Sequence, residues 1–178
     1  MVRKLLFVLA LFCCAAVPFA ARAGQTESTV LVIPARYTIV QMGFDIAHLR
    51  PVSLVAYPAT LPTHAPPTLH VWNREAQDWI PTSVAEYGEG SIFLTRPSTA
   101  LVLGPDADLP AGLADASERL AARAERIPAL DVVEWVNTLD RHLNFTAQEW
   151  RWLADRHGLQ IKDLNDERRR YGKYGPSR

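Results

Sequence analysis

The chain contains two cysteines, Cys13 and Cys14, and none after position 14. A domain built from the rest can form no internal disulfide, no thiolate metal site and no cysteine nucleophile, so its stability must come from packing. Histidine is sparse. His48, His64, His70, His142 and His157 fall at no spacing that sets two imidazoles on one helical face for a metal. Asp106 and Asp108 offer too few oxygens for calcium, which takes about six to eight. No Gly-x-Ser-x-Gly, Ser-x-x-Lys or His-Glu-x-x-His occurs, and Gly88-Glu-Gly90 lacks the third glycine of a dinucleotide loop. No cofactor and no metal is expected. A long apolar run is also missing: residues 5–16 fall short of the roughly 20 needed to span a bilayer.

What that short run does fit is a leader. It follows the positive Arg3 and Lys4 and precedes Ala21-Arg22-Ala23, a small-x-small cleavage site, so residues 1–23 read as a secretory signal peptide cut before Gly24. Pro18 and Arg22 argue against an uncleaved anchor, and Phe12 before Cys13 argues against lipoprotein processing. The expected product is exported, periplasmic or extracellular, with no transmembrane anchor after cleavage. Taking 23 from 178 leaves 155 residues, one ordinary domain. Its expected parts are an α/β unit over 24–143 and a C-terminal helical hairpin with a basic tail over 144–178. Without the leader, 16 basic side chains face 19 acidic ones, a net charge of −3 that is no footprint for nucleic acid.

Hydrophobic periodicity predicts an α/β fold: three layers, a mostly parallel central sheet, an inserted β-hairpin and the C-terminal helical hairpin. Residues 29–33 are a β-branched run ended by Pro34, and residues 52–57 are a second. Between them Ile39, Gly43, Ile46 and Ala47 share one helical face, completing a βαβ unit. Gly43 inside that helix costs about 1 kcal/mol relative to Ala and implies a close helix–sheet approach. Four prolines make residues 58–68 a stiff loop. Residues 69–73 and 78–80 then read as a hairpin with Trp72 facing Trp79. Ser83 and Glu86 have capping-box spacing. Residues 92–94 and 100–103 read as strands, 110–124 as an amphipathic helix and 127–130 as a short terminal strand. Asp131 with Glu134, and Thr146 with Glu149, form two further capping boxes that start helices, and Phe145 is placed to staple onto Trp150. Gly158 stops the second of these, and residues 161–171 form another.

Residues 152–164 have the small residue, the glycine four positions on and the apolar positions of a helix-turn-helix. Asp163, Asp166 and Glu167, however, fall on the helix that would meet phosphates. The stretch from Leu153 to Asn165, with its Leu-Ala-x-x-His-Gly-Leu and Asp-Leu-Asn positions, resembles the helical part of a LysM module, which implies binding to peptidoglycan. Ala35-Arg36-Tyr37-Thr38, and Ala100-Leu-Val-Leu-Gly104 followed by a helix and Arg126-Ile127, are similar to the type-2 cell-wall-binding repeat. That similarity implies a Rossmann-like layering and attachment to wall polymer, although Ala35 and Pro105 stand where the repeat carries Asp and a second Gly.

Arg168, Arg169, Arg170, Tyr171, Lys173 and Tyr174 interleave cations with aromatics, a composition suited to anionic polymers or sugar rings. Trp72, Trp79, Trp135 and Trp150 all have core positions, which leaves Trp152 as the tryptophan to assign to a ligand. The expectation is a non-catalytic envelope protein whose partner is a cell-wall glycan or an envelope protein. The alternative is a small periplasmic hydrolase on a degenerate α/β scaffold. It would be marked by a deep pocket that joins His48 or His70 to a serine and a carboxylate, whereas a sealed sheet end favours binding.

Overall fold

In the computed structural model, which describes residues 29–60, 66–128 and 131–160, the β-branched run forms strand β1 (Thr29–Pro34), buried at every residue. A strand hidden on both faces needs partners on both sides and cover above and below. Its partners are two parallel strands, β2 (Val52–Tyr57) and β5 (Thr99–Leu103). A further parallel strand, β6 (Arg123–Ile127), pairs with β5. The antiparallel hairpin of β3 (Thr68–Asn73) and β4 (Asp78–Ser83) extends the sheet past β2, giving the order β4-β3-β2-β1-β5-β6.

Connectivity explains the layers. From β1 the chain crosses through helix α1 (Tyr37–Leu49) to β2, and from β5 it crosses the other way, through α3 (Leu113–Leu120), to β6. Crossovers of one hand that step in opposite directions must place their helices on opposite faces. Accordingly α1 shares a core with Leu31, Ile33 and Leu54, whereas α3 shares one with Val30, Val32 and Val102. Helix α2 (Val84–Glu89) joins the α3 layer, and α4 (Val132–Leu143) and α5 (Ala147–His157) join that of α1. The result is a three-layer α/β fold. At Gly43, α1 lies tight against the sheet: a Cβ there would sit 2.9 Å from Ile33 Cδ1.

In the hairpin, Trp72 pairs with Trp79 in register, with ring centroids 5.4 Å apart, and Phe44 of α1 stands edge-on to Trp72 at 4.8 Å. The Asn73 side chain accepts from the amides of Glu75 and Ala76, and Gln77 takes the left-handed conformation that closes the turn. Two of the three expected capping boxes form, at Ser83 with Glu86 and at Thr146 with Glu149; at α4 only the Asp131 half is present, its carboxylate accepting from the amides of Val133 and Glu134.

Three expectations are corrected. Residues 92–94 are not a strand: both places beside β1 are taken by β2 and β5, and Leu94 projects fully into solvent. Helix α3 stops at Leu120, where the Arg96 guanidinium takes the carbonyls of Arg119 and Leu120. The last strand is 123–127 instead of 127–130; Ala129 and Leu130 lie outside the described residues. As the sheet edge, β6 carries Arg123, Glu125 and Arg126, so polarity hid it. Glu125 pairs across with Leu101 and meets His142 of α4 at 3.2 Å. Partial burial raises its pKa, but His142 and Arg123 outweigh that and leave it below the usual carboxylate value.

Helix α5 is fastened to α1 at two points. Arg50, at the end of α1, donates to the carbonyls of Leu143 and Asn144 at 2.9 and 2.8 Å and forms a two-pronged pair with the Glu149 carboxylate. Asp45, almost wholly buried, accepts from Arg156 Nε at 2.6 Å and lies 2.8 Å from His157 Nε2. Leu153 and Phe145 complete the α1-side core, so the described part of the C-terminal segment shares that core with the sheet. The Arg50 side chain and the Thr146 amide hold the Glu149 pKa down at about 2, against an ordinary 4.5. A carboxylate with a lowered folded-state pKa contributes stability that is complete above the unfolded value and is lost as pH falls towards the folded one. The pairing should thus act fully at neutral pH and fade between pH 4.5 and about 2. Arg50→Ala should cost about 2 kcal/mol at pH 7 by denaturant unfolding and clearly less at pH 2.5; an equal loss at both pH values contradicts the assignment.

Candidate functional site

Open α/β sheets bind ligands in the crevice outside the carboxyl ends of their strands, where two neighbouring strands send the chain in opposite directions. Here that switch point lies between β1, which leads to β2, and β5, which leads to β6. The crevice is filled by the protein itself. Tyr57, the last residue of β2, reaches past the end of β1, and its buried hydroxyl donates to the Leu103 carbonyl at the end of β5, at 2.7 Å. The next residue after β5 is Gly104, at φ +125°, a conformation that L side chains rarely adopt. A Cβ there would lie 2.2 Å from the Tyr57 oxygen, so the phenol occupies the space a side chain would need. The Gly104 amide is bonded to the Ile127 carbonyl at 2.8 Å, which ties the β5 end to β6.

Charged residues close the rim above the phenol. Arg36, in the β1–α1 connection, pairs with Asp108 at 3.2 Å, and Arg126, near the end of β6, pairs with Asp106. Both aspartates sit on one 3-10 turn (Asp106–Asp108), held at its far end by the buried Leu109. Burial pushes the Tyr57 hydroxyl up to about 12, with a further push from Asp108, and Arg36 and Arg126 partly offset it. A phenol held neutral and bonded to a main-chain carbonyl is a structural plug, poorly suited to general acid or base work near neutral pH.

Further along the same sheet edge is an open groove of about 230 Å3, lined by Pro66, Pro67, Thr68, Pro81, Thr82, Ser83 and Glu86. Its one carboxylate, Glu86, is committed to the α2 cap. The Ser83 amide and hydroxyl both donate to it, holding its pKa below the ordinary value. His70 is exposed on β3 opposite Pro81, and His48 lies on α1 against Trp152. Among the described residues neither histidine hydrogen-bonds a serine, and no three His, Cys, Asp or Glu side chains cluster as metal ligands. No described helix is long and apolar enough to cross a membrane.

Trp152 is on α5, 37% exposed, with the His48 ring 6.5 Å from its own and the Arg156 guanidinium 5.5 Å from its centroid. It therefore belongs to the contact between α1 and α5 while keeping an edge in solvent. Arg168, Arg169, Arg170, Tyr171, Lys173 and Tyr174, like the helix expected over 161–171, lie outside the described residues. The filled crevice was invisible to motif reasoning, because its partners Tyr57 and Leu103 are 46 positions apart and belong to no motif. The one local signal was a glycine directly after a buried strand. Comparisons of the chain with known protein families, curated proteins and solved structures find no match.

The crevice can be tested by a double-mutant cycle. Gly104→Ala should cost about 2–4 kcal/mol, from the backbone conformation together with the clash, and Tyr57→Phe about 1 kcal/mol for the lost hydrogen bond. In the Tyr57→Phe background the cost of Gly104→Ala should fall by at least about 1 kcal/mol because the blocking oxygen is gone; strictly additive losses contradict the packing described.

Proposed function

We propose that this protein is an exported, non-catalytic component of the cell envelope that binds or anchors a wall polymer, with peptidoglycan as the ligand. The observation that carries the non-catalytic reading is the crevice at the switch point, where the Tyr57 phenol takes the place of a ligand and ion pairs close the rim. Catalysis in this architecture needs side chains converging on a space that a substrate can enter. A binding protein does not.

The contact surface we assign is the outer side of α5. Trp152 presents an indole edge beside the partly exposed Arg156 guanidinium, and further along the same sequence lie the cation- and aromatic-rich residues 168–174. Aromatic rings with neighbouring cations suit sugars that carry carboxylates. The likeness of residues 153–165 to the LysM helical part, and of the α/β unit to the type-2 wall-binding repeat, supports a wall polymer as partner. Because Leu153 is wholly buried in the main core, α5 must be kept in any truncation used to test this.

The test is retention on purified peptidoglycan sacculi at low and physiological salt. The whole protein should be retained at both, while Trp152→Ala and a chain ending at Gln160 should each lose at least about half of the bound fraction. Equal retention of all three would remove the α5 site, and no retention of the whole protein would overturn the wall-binding reading.

A further inference from the structure

The rim of the filled crevice has a property that the wall-binding reading does not use. Two arginines from different parts of the chain, Arg36 after β1 and Arg126 at the end of β6, converge on one short turn, and each is neutralised by a different aspartate of that turn, Asp108 and Asp106. Both arginines also offset the raised pKa of the Tyr57 hydroxyl beneath, so their charges reach the same phenol. The turn is anchored on both sides, by the Gly104 amide on the Ile127 carbonyl and by the burial of Leu109, so its backbone is fixed while its carboxylates reach solvent. The Asp106 side chain is 83% exposed. Rotation of two aspartate side chains is therefore enough to bare both guanidinium groups without disturbing the fold.

We infer that Arg36 and Arg126 form a surface seat for a dianionic phosphate group, which the carboxylates of Asp106 and Asp108 occupy in its absence. The stand-in supplies two negative charges, one to each arginine, so a ligand that replaces it must bring two. A phosphomonoester does so near neutral pH, where its second ionisation is largely complete, and inorganic phosphate is mostly the dianion at pH 7.5. Guanidinium groups bind phosphate oxygens through two parallel N–H donors, a geometry that a lysine pair would not reproduce. The filled crevice below leaves no room for the rest of a ligand to descend into the sheet, so the seat recognises an exposed phosphate and does no chemistry on it.

The competition sets the expected effect. Exposed ion pairs are individually weak, and removing two should raise affinity for an external anion by about tenfold. The experiment titrates inorganic phosphate into 15N-labelled protein at pH 7.5 and constant ionic strength, following the amides of residues 36–39, 104, 106–109 and 126–127. Wild-type protein should show saturable shifts confined to these residues. Asp106→Asn with Asp108→Asn should bind about tenfold more tightly, and Arg36→Gln with Arg126→Gln should abolish the shifts while the rest of the amide spectrum keeps its dispersion. Arg36→Lys with Arg126→Lys, which preserves charge and guards against misfolding, should bind more weakly than wild type. Shifts spread over arginines elsewhere, or an Asn variant that binds no better than wild type, would overturn the proposal; so would tighter binding of malonate than of phosphate.

Discussion

The hydrogen bond from the Tyr57 hydroxyl to the Leu103 carbonyl ties together the ends of β2 and β5 across the end of β1, and the form of the sheet's carboxyl edge depends on it. The bond requires a residue without Cβ directly after β5, and Gly104 supplies it in a conformation that few other residues tolerate. Once the phenol is in place, the switch point is solid. The 3-10 turn with Asp106 and Asp108 then lies over the phenol, where its carboxylates meet Arg36 and Arg126. An architecture that ordinarily opens a binding crevice at this point instead presents a charged, shallow surface.

The other face of the sheet is organised by a second constraint. Helices α1, α4 and α5 bury Ile46, Trp135, Val136 and Leu153 in one core, and α5 is locked to α1 by Arg50 and Asp45. Arg50 satisfies the carbonyls of Leu143 and Asn144 at the end of α4 while pairing with Glu149 in the first turn of α5. One guanidinium thus fixes the bend between two helices, through planar donors that no lysine would match. Trp152 and Arg156 are held on a rigid base as a result, which suits a contact surface better than a loop would.

Much of this fold was legible in the sequence where local rules act alone. The β-branched runs, the helical face between them and Gly43 gave the βαβ unit, and the interior glycine proved to mark close packing on Ile33 and Leu54. The hairpin, its Trp72–Trp79 pair and two of the three capping boxes followed from spacing. Where burial is one-sided the rules failed. Edge strand β6 carries charges because one of its sides has no strand neighbour among the described residues, whereas residues 92–94 are apolar yet have no place beside β1. The candidate site was less legible than the fold. Trp152, the tryptophan left without a core position, is 37% exposed, but its partners His48 and Arg156 and the Asp45 contact come from tertiary packing. The association of Tyr57, Gly104, Arg36 and Arg126 joins residues from four separate parts of the chain and leaves no periodic trace.

The central claim is that the switch-point crevice is closed to water by the Tyr57 phenol. It is tested most directly by following tyrosine Cζ chemical shifts against pH in 13C-labelled protein, with the Tyr57 signal assigned by its loss in Tyr57→Phe. The account predicts that this signal does not move up to about pH 11, in keeping with a hydroxyl pushed up to about 12 by burial. A Tyr57 signal that titrates at the ordinary phenol value of 10.0 would show the hydroxyl open to solvent and would contradict the filled crevice.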